Sequence, residues 1–237
     1  MNFSALIEYI ASTPLTWILL TLCAFKLGII IYEKTNKHAL FQPIIIAYVI
    51  IIPVLLVTNI SYEEYFSSVE VIHFFLGPAT VALALPLYKN ITYIKSLFGP
   101  ILLTLIIGGT FSIISATWIL WLLDAQLSTI LSMTTKSITA PIAVITSAQI
   151  GAIPSLALGF IIITGVVGAL FGNIVFKVMK IKSDVSKGFA LGLTSHAIGI
   201  ARAMEISDKA TAFGALGMGL FGIFTAIFLP IIIHLIL

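Results

Sequence analysis

Charge is what this chain has least of. Of its 237 residues, 12 are Lys or Arg and 9 are Asp or Glu, so charged side chains make up 9%, against about 25% in an ordinary soluble domain. That shortage excludes a soluble globular fold, and a hydrophobic content of 60% excludes disorder, whose signature is low hydrophobicity with high net charge. Cysteine is almost missing: Cys23 alone permits no internal disulfide and no cysteine-based metal site. Arginine is scarcer still than lysine, with Arg202 the single example. No basic leader precedes the first apolar run, where Glu8 stands instead, so a cleaved signal peptide is not expected.

What is present is long apolar sequence, with a mean hydropathy of +1.19. Residues 38–62, 96–123, 137–176 and 210–237 contain no Asp, Glu, Lys or Arg, and each exceeds the roughly 20 residues of a spanning helix. Short alternating segments of the outer-membrane barrel type are absent. The pattern predicts an all-α integral membrane protein of about 7 transmembrane helices (6 to 8), at 14–32, 40–57, 69–88, 97–123, 155–177, 186–206 and 210–237. A net charge of +3 with a pI of 9.0 does not imply nucleic acid, because the lysines are scattered between the apolar runs. Lys34 and Lys37, Lys89 and Lys95, and Lys177, Lys180, Lys182 and Lys187 mark cytoplasmic loops by the positive-inside rule. The loop with Glu63, Glu64 and Glu70 then lies outside.

This charge pattern places Asp124 and the start of the 155–177 span on the same, outer side. Segment 127–152 must enter and return, which a discontinuous or re-entrant element does and a continuous helix cannot. A shift of about 118 residues superposes 40–57, 69–88 and 97–123 on the last three spans with opposite direction, predicting an inverted repeat with halves of about 1–123 and 124–237 inside a single domain, 1–237.

Three polar constellations enter these apolar runs. In residues 194–205 (TSHAIGIARAME), Ser195, Gly199 and Arg202 share one face of a continuous helix, giving a hydroxyl, a close-approach glycine and a guanidinium suited to a carboxylate. Pairing of Arg202 with Glu205, or snorkelling, is the alternative. His196 either contacts substrate, relays a proton or hydrogen-bonds a backbone carbonyl. In Lys136-Ser137-Ile138-Thr139-Ala140-Pro141, Thr139 and Pro141 suit the start of a half-helix, whose N-terminus would favour an anion beside Lys136; an interfacial lysine is the alternative. Gly77, Pro78 and Thr80, with Pro86 further on, mark an interrupted span, since proline breaks a helix interior.

Other features are discounted. Residues 217–222 match GxGxxG in a charge-free span with no preceding strand, so a dinucleotide site fails. Gly168–Gly172, Gly188–Gly192 and Ala215–Gly219 fit small-residue helix contacts. Ser195 and His196 are adjacent and point about 100° apart on a helix, so they make no nucleophile and base pair. An enzyme, a metal site and a cofactor are not expected.

The segments 77–84, 136–143, 195–203 and 215–220 resemble the LrgB/CidB family of antiholin-like membrane proteins, whose relatives include the plastidial glycolate/glycerate translocator. Ala140, Ala197 and Ile200 stand where Thr, Gly and Thr are usual, while Lys136, Thr139, His196 and Arg202 are kept. The resemblance implies a bacterial inner-membrane, multi-pass protein working with a small LrgA/CidA-like membrane partner. It implies either transport of small monocarboxylates (pyruvate, glycolate, glycerate) or holin-type control of murein hydrolases and lysis. One buried Arg, interrupted helices and repeat symmetry favour the carrier, with Arg202 and the half-helix at Thr139 on the carboxylate, Ser195 and Thr80 on substrate oxygens, His196 on a coupling proton, and two helix groups rocking. Self-association into a homo-oligomer is left open.

Overall fold

The computed structural model describes residues 13–236 except 76, 77, 79, 80 and 83. All regular structure among the described residues is helical, as the hydropathy requires. The chain divides into two compact units, Met1–Ala82 and Leu83–Leu237. Of the interrupted span expected at 69–88, Gly77 and Thr80 lie outside the described residues, whereas Pro78 is helical and exposed.

In the first unit, α1 (Pro14–Lys34) and α2 (Pro43–Thr58) both begin with proline in the first turn, where its missing N–H costs nothing. They pack through Ala24, Ala47 and Ile51. Gly28 is required at their crossing, because a Cβ there would lie 2.7 Å from the Pro43 carbonyl oxygen. Asn59, left-handed at φ 54°, ends α2. Ser61 and Glu64 then form a capping box, and α3 (Tyr62–Ser68) leaves at 117° to α2. Its Tyr65 reaches α1, with its hydroxyl 2.7 Å from Thr21 Oγ1 and its ring edge-on to Trp17 at 6.1 Å. A short α4 (Glu70–Phe74) follows.

The second unit holds α5 (Ala84–Lys89), α6 (Ile91–Ser96), α7 (Phe98–Leu122), α8 (Leu127–Met133), α9 (Ala140–Gln149), α10 (Pro154–Val178), α11 (Asp184–Met204) and α12 (Asp208–Ile236). Its polarity is that of a membrane protein. Phe111, Trp118, Ile163 and Phe171 are more than half exposed, while Ser132, Thr135, Ser137, Thr146, Ser147 and Ser195 are buried. Helices α1, α7, α10 and α12 are long and apolar enough to cross a bilayer, and the bent pair α2 and α3 makes a fifth candidate.

The re-entrant element expected at 127–152 is a hairpin of α8 and α9. Ile153 donates its N–H to Ser132 Oγ at 2.9 Å, and Thr135 Oγ1 lies 3.1 Å from Ser147 Oγ. Partners that approach in sequence as the tip is neared define antiparallel arms. Buried hydroxyls serve here because the turn leaves backbone and side-chain polar groups that water cannot reach.

A second hairpin replaces the span expected at 186–206. Helical geometry fails inside α11 at His196, with φ 44° and ψ −132°. The arm 184–195 packs parallel to the start of α12. A Cβ on Gly188 would sit 2.1 Å from the Ala210 carbonyl oxygen, one on Gly192 1.9 Å from that of Gly214, and one on Gly217 2.7 Å from that of Phe189. Consecutive helices can run parallel only if the chain doubles back between them. The return arm 197–204 does so: a Cβ on Gly199 would meet the Leu191 carbonyl oxygen at 2.1 Å, and one on Gly214 would meet Ala203 and Ile200 at 3.5 Å. The two arms together have the length of a span, which is why the sequence reads as one.

Glycines also seat α11 on α10. Gly172 faces Leu191, Gly168 faces Ser195 and Gly165 faces His196, an antiparallel match. The small-residue pairs Gly168–Gly172 and Gly188–Gly192 are thus close helix contacts. In α12 the contact residues are Gly214 and Gly217, whereas a Cβ on Gly219 would meet nothing within 4 Å.

Candidate functional site

Each hairpin brings a polar tip into the apolar interior of the second unit. Ile138 at the first tip and Leu193 beside the second belong to one buried cluster with Ile161, Phe189, Phe213 and Phe221. The cluster fixes both tips against α7, α10 and α12.

At the first tip, Lys136 is half-buried. Its ammonium donates to Ser112 Oγ of α7 and to Ser137 Oγ, both at 2.9 Å. Among the described residues the ion pairs are Lys187 with Asp184 and Arg202 with Glu205; Lys136 joins neither. Three residues on, Thr139 has the extended backbone of a helix N-cap, Pro141 occupies the first turn of α9, and the Thr139 side chain makes no capping bond. The N-terminal amides of a ten-residue half-helix therefore open next to a cation held by two neutral hydroxyls. Both features favour a negative charge.

At the second tip, His196 donates Nε2–H to the Ile161 carbonyl oxygen at 2.9 Å. Gly165 makes room for the ring, since a Cβ there would fall 2.9 Å from Nε2. A non-glycine residue at this φ and ψ stores about 1–3 kcal/mol, which the bond to α10 helps to hold. Ser195 is fully buried, with its Oγ 3.1 Å from Thr194 Oγ1.

The break at His196 changes the geometry read for a continuous helix. Ser195 and Gly199 do meet. Arg202, six residues past the break, lies on the return arm near the start of α12. Its guanidinium pairs with Glu205, and its side chain is 14% exposed. The structure thus gathers Lys136, Ser137 and Thr139 at one tip and Ser195, His196 and Gly199 at the other, with Arg202 toward the loop end.

Two polar residues were not anticipated from the sequence. Ser112, in a charge-free apolar run, carried no local signal; only its contact with Lys136 identifies it. Thr194 lines a cavity of about 440 Å³ bounded by α6, α7, α11 and α12. This cavity runs from Tyr93, Ser183 and Ser186 to Thr104, Gly108 and Thr194. Gly108 lies one helical turn from Ser112, so the inner end of the cavity approaches the Lys136 cluster along α7.

A family model described as the LrgB-like family matches residues 21–235. Proteins named "Antiholin-like protein LrgB" from Bacillus cereus strains B4264 and AH187 and from Bacillus anthracis strain CDC 684 / NRRL 3495 are each 30% identical to this chain over 218 residues, covering 92% of it and 95% of the relative. No solved structure matches. With its apolar helices and this match along nearly its whole length, the chain is a multi-pass bacterial membrane protein that belongs to the LrgB-like family.

Proposed function

We propose that this protein is a secondary carrier of small monocarboxylate anions of the pyruvate, glycolate and glycerate class. The observation that carries the reading is Lys136, a half-buried cation at the tip of a re-entrant hairpin that forms no ion pair with a described carboxylate. A charge placed in low dielectric needs a counter-charge, and a substrate carboxylate supplies one. Lys136 and the α9 amides bind the carboxylate, while Ser137 and Thr139 offer hydroxyls to the substrate's hydroxyl or keto oxygen. Thr194 lines the approach, backed by the buried Ser195, whose Oγ lies 3.1 Å from Thr194 Oγ1. His196 holds the second tip through Ile161 and is the candidate for a coupling proton. Arg202, paired with Glu205, acts on the anion near the loop end.

The repeat symmetry expected of such carriers is better assigned to a shorter unit than an offset of 118 residues gives. Helices α7 and α10 are each 25 residues long, each ends at a left-handed residue, Asp124 or Lys180, and each is followed by a hairpin. With an offset of 56 residues between Phe98–Leu122 and Pro154–Val178, we read these as two inverted helix-plus-hairpin units. Movement of the hairpin tips relative to α7 and α10 would expose the anion alternately to the two sides. A small LrgA/CidA-like membrane protein is the proposed partner.

The relatives' name, antiholin-like, favours a second reading, which the family resemblance fills in as a holin- or antiholin-like regulator of murein hydrolase export and lysis. Uptake of labelled pyruvate and glycolate into proteoliposomes, with and without the small partner, separates the two. A carrier gives saturable uptake, competed by other short carboxylates and not by amines. Unselective solute leakage with collapse of an imposed potential supports the regulator instead.

A further inference from the structure

A second basic site lies at the other end of α10, away from the hairpin tips. The helix stops at Lys180, whose left-handed φ of 54° lets Ile181 return its N–H to the Phe176 carbonyl at 2.8 Å. Two residues later Ser183 caps α11, accepting from the Ser186 N–H. This tight connection wraps Lys177, Lys180, Lys182 and Lys187 around a cavity of about 460 Å³. Lys187 pairs with Asp184 at 3.5 Å; among the described residues no carboxylate pairs with the other three lysines. The remaining wall is the Asn173 amide and the apolar side chains of Phe176, Ile181 and Ile206. Beside it, Val178 and Met179 are 76% and 65% exposed, an apolar surface next to a cationic bowl.

We propose that this cradle binds the phosphate headgroup of an anionic phospholipid from the cytoplasmic leaflet. The positive-inside rule sets the lysines at that leaflet, where anionic headgroups gather and each basic residue near the surface adds about a fivefold gain in binding. The ammonium groups and Asn173 hold the phosphate, and the acyl chains run along Val178 and Met179. Because α10, α11 and α12 meet here, a bound lipid ties the base of the second hairpin to the bilayer. The proposal is independent of what the hairpin tips carry.

Native mass spectrometry of the intact protein released from detergent, after incubation with phosphatidylglycerol or phosphatidylcholine, tests this. We expect adducts of phosphatidylglycerol and few of phosphatidylcholine, with a Lys180→Gln/Lys182→Gln double variant retaining roughly tenfold or more less. A Lys34→Gln/Lys37→Gln variant, equal in charge loss but in the first unit, should bind as the unchanged protein does. If the first variant fails to fold by thermal unfolding in detergent, Lys177→Gln alone should still lower retention severalfold. Equal retention of both lipids, equal loss in the two double variants, or displacement of the lipid by equimolar inorganic pyrophosphate would each overturn the lipid assignment.

Discussion

At the residue scale, close approach of backbones governs this protein more than side-chain volume does. Gly192 lets the Gly214 carbonyl come within 1.9 Å of where a Cβ would stand, whereas Gly219 has open space. Overpacking costs about 1–3 kcal/mol, while alanine in an open helical site gains up to about 1 kcal/mol over glycine. Gly192→Ala should therefore lower the thermal unfolding temperature in detergent by several degrees and Gly219→Ala should leave it unchanged or raise it. Equal behaviour of the two variants would argue against the parallel packing of α11 on α12. His196 is the other residue on which local geometry depends. Replacing it with Phe removes the donor to Ile161 and leaves the strained turn without its tie, with an expected loss of about 1–3 kcal/mol, readable by the same unfolding measurement. The close contact at Gly188–Gly192 and a histidine bond to a backbone carbonyl were both legible in the sequence; the break of the helix at His196 was not. A histidine flanked by serine and alanine carries no breaker signal, and the carbonyl that ties the ring at the bend is 35 residues away.

At the scale of elements, the two hairpins differ in how openly they are written. The first follows from loop charges, which placed both ends of 127–152 on one side, and from Thr139 and Pro141, which start α9 where the sequence indicates. The second is hidden because its arms add up to the length of a span and the break contains neither proline nor glycine. The half-helix start beside Lys136 was legible; its anchor, Ser112, was not, since a serine in an apolar run is silent until its partner is known. The first hairpin makes a direct demand on chemistry. In a Cys23→Ser background, Thr135→Cys with Ser147→Cys should oxidise readily to an internal disulfide, because the native hydroxyl oxygens are 3.1 Å apart and thiols need Cβ atoms about 3.5–4.5 Å apart. Failure to cross-link under mild oxidant, with both thiols still free, would contradict the antiparallel arms.

At the scale of the whole molecule, folding back of α11 alters the path of the chain through the bilayer. Lys182 and Asp208 flank α11. A spanning helix would put them on opposite faces, and a hairpin puts them on one. Single Lys182→Cys and Asp208→Cys variants lacking Cys23 should both be labelled by an impermeant maleimide from the cytoplasmic side of inverted vesicles. Labelling of the two from different sides would restore the extra span. The hairpin arrangement also collects Lys209 with the lysines of the 177–187 connection: it lies over the Tyr93 ring at 5.4 Å, at the end of the cavity shared by Tyr93 and Ser183. Loop charge thus fits the hairpin at least as well as it fits a span, and this is why charge alone did not distinguish them.

The proposed anion site joins these scales, since a single ammonium, held by a hydroxyl on α7 at the tip of a hairpin, is what a carrier would present alternately to the two sides. Its most direct test is the rate of labelled pyruvate uptake into proteoliposomes by Lys136→Gln beside the unchanged protein, both verified as folded. Loss of a hydrogen bond to a charged group, worth about 1.5–3 kcal/mol, should reduce uptake at low substrate concentration by roughly 10- to 100-fold. Undiminished, saturable pyruvate uptake by Lys136→Gln would contradict the assignment of the carboxylate to this hairpin tip.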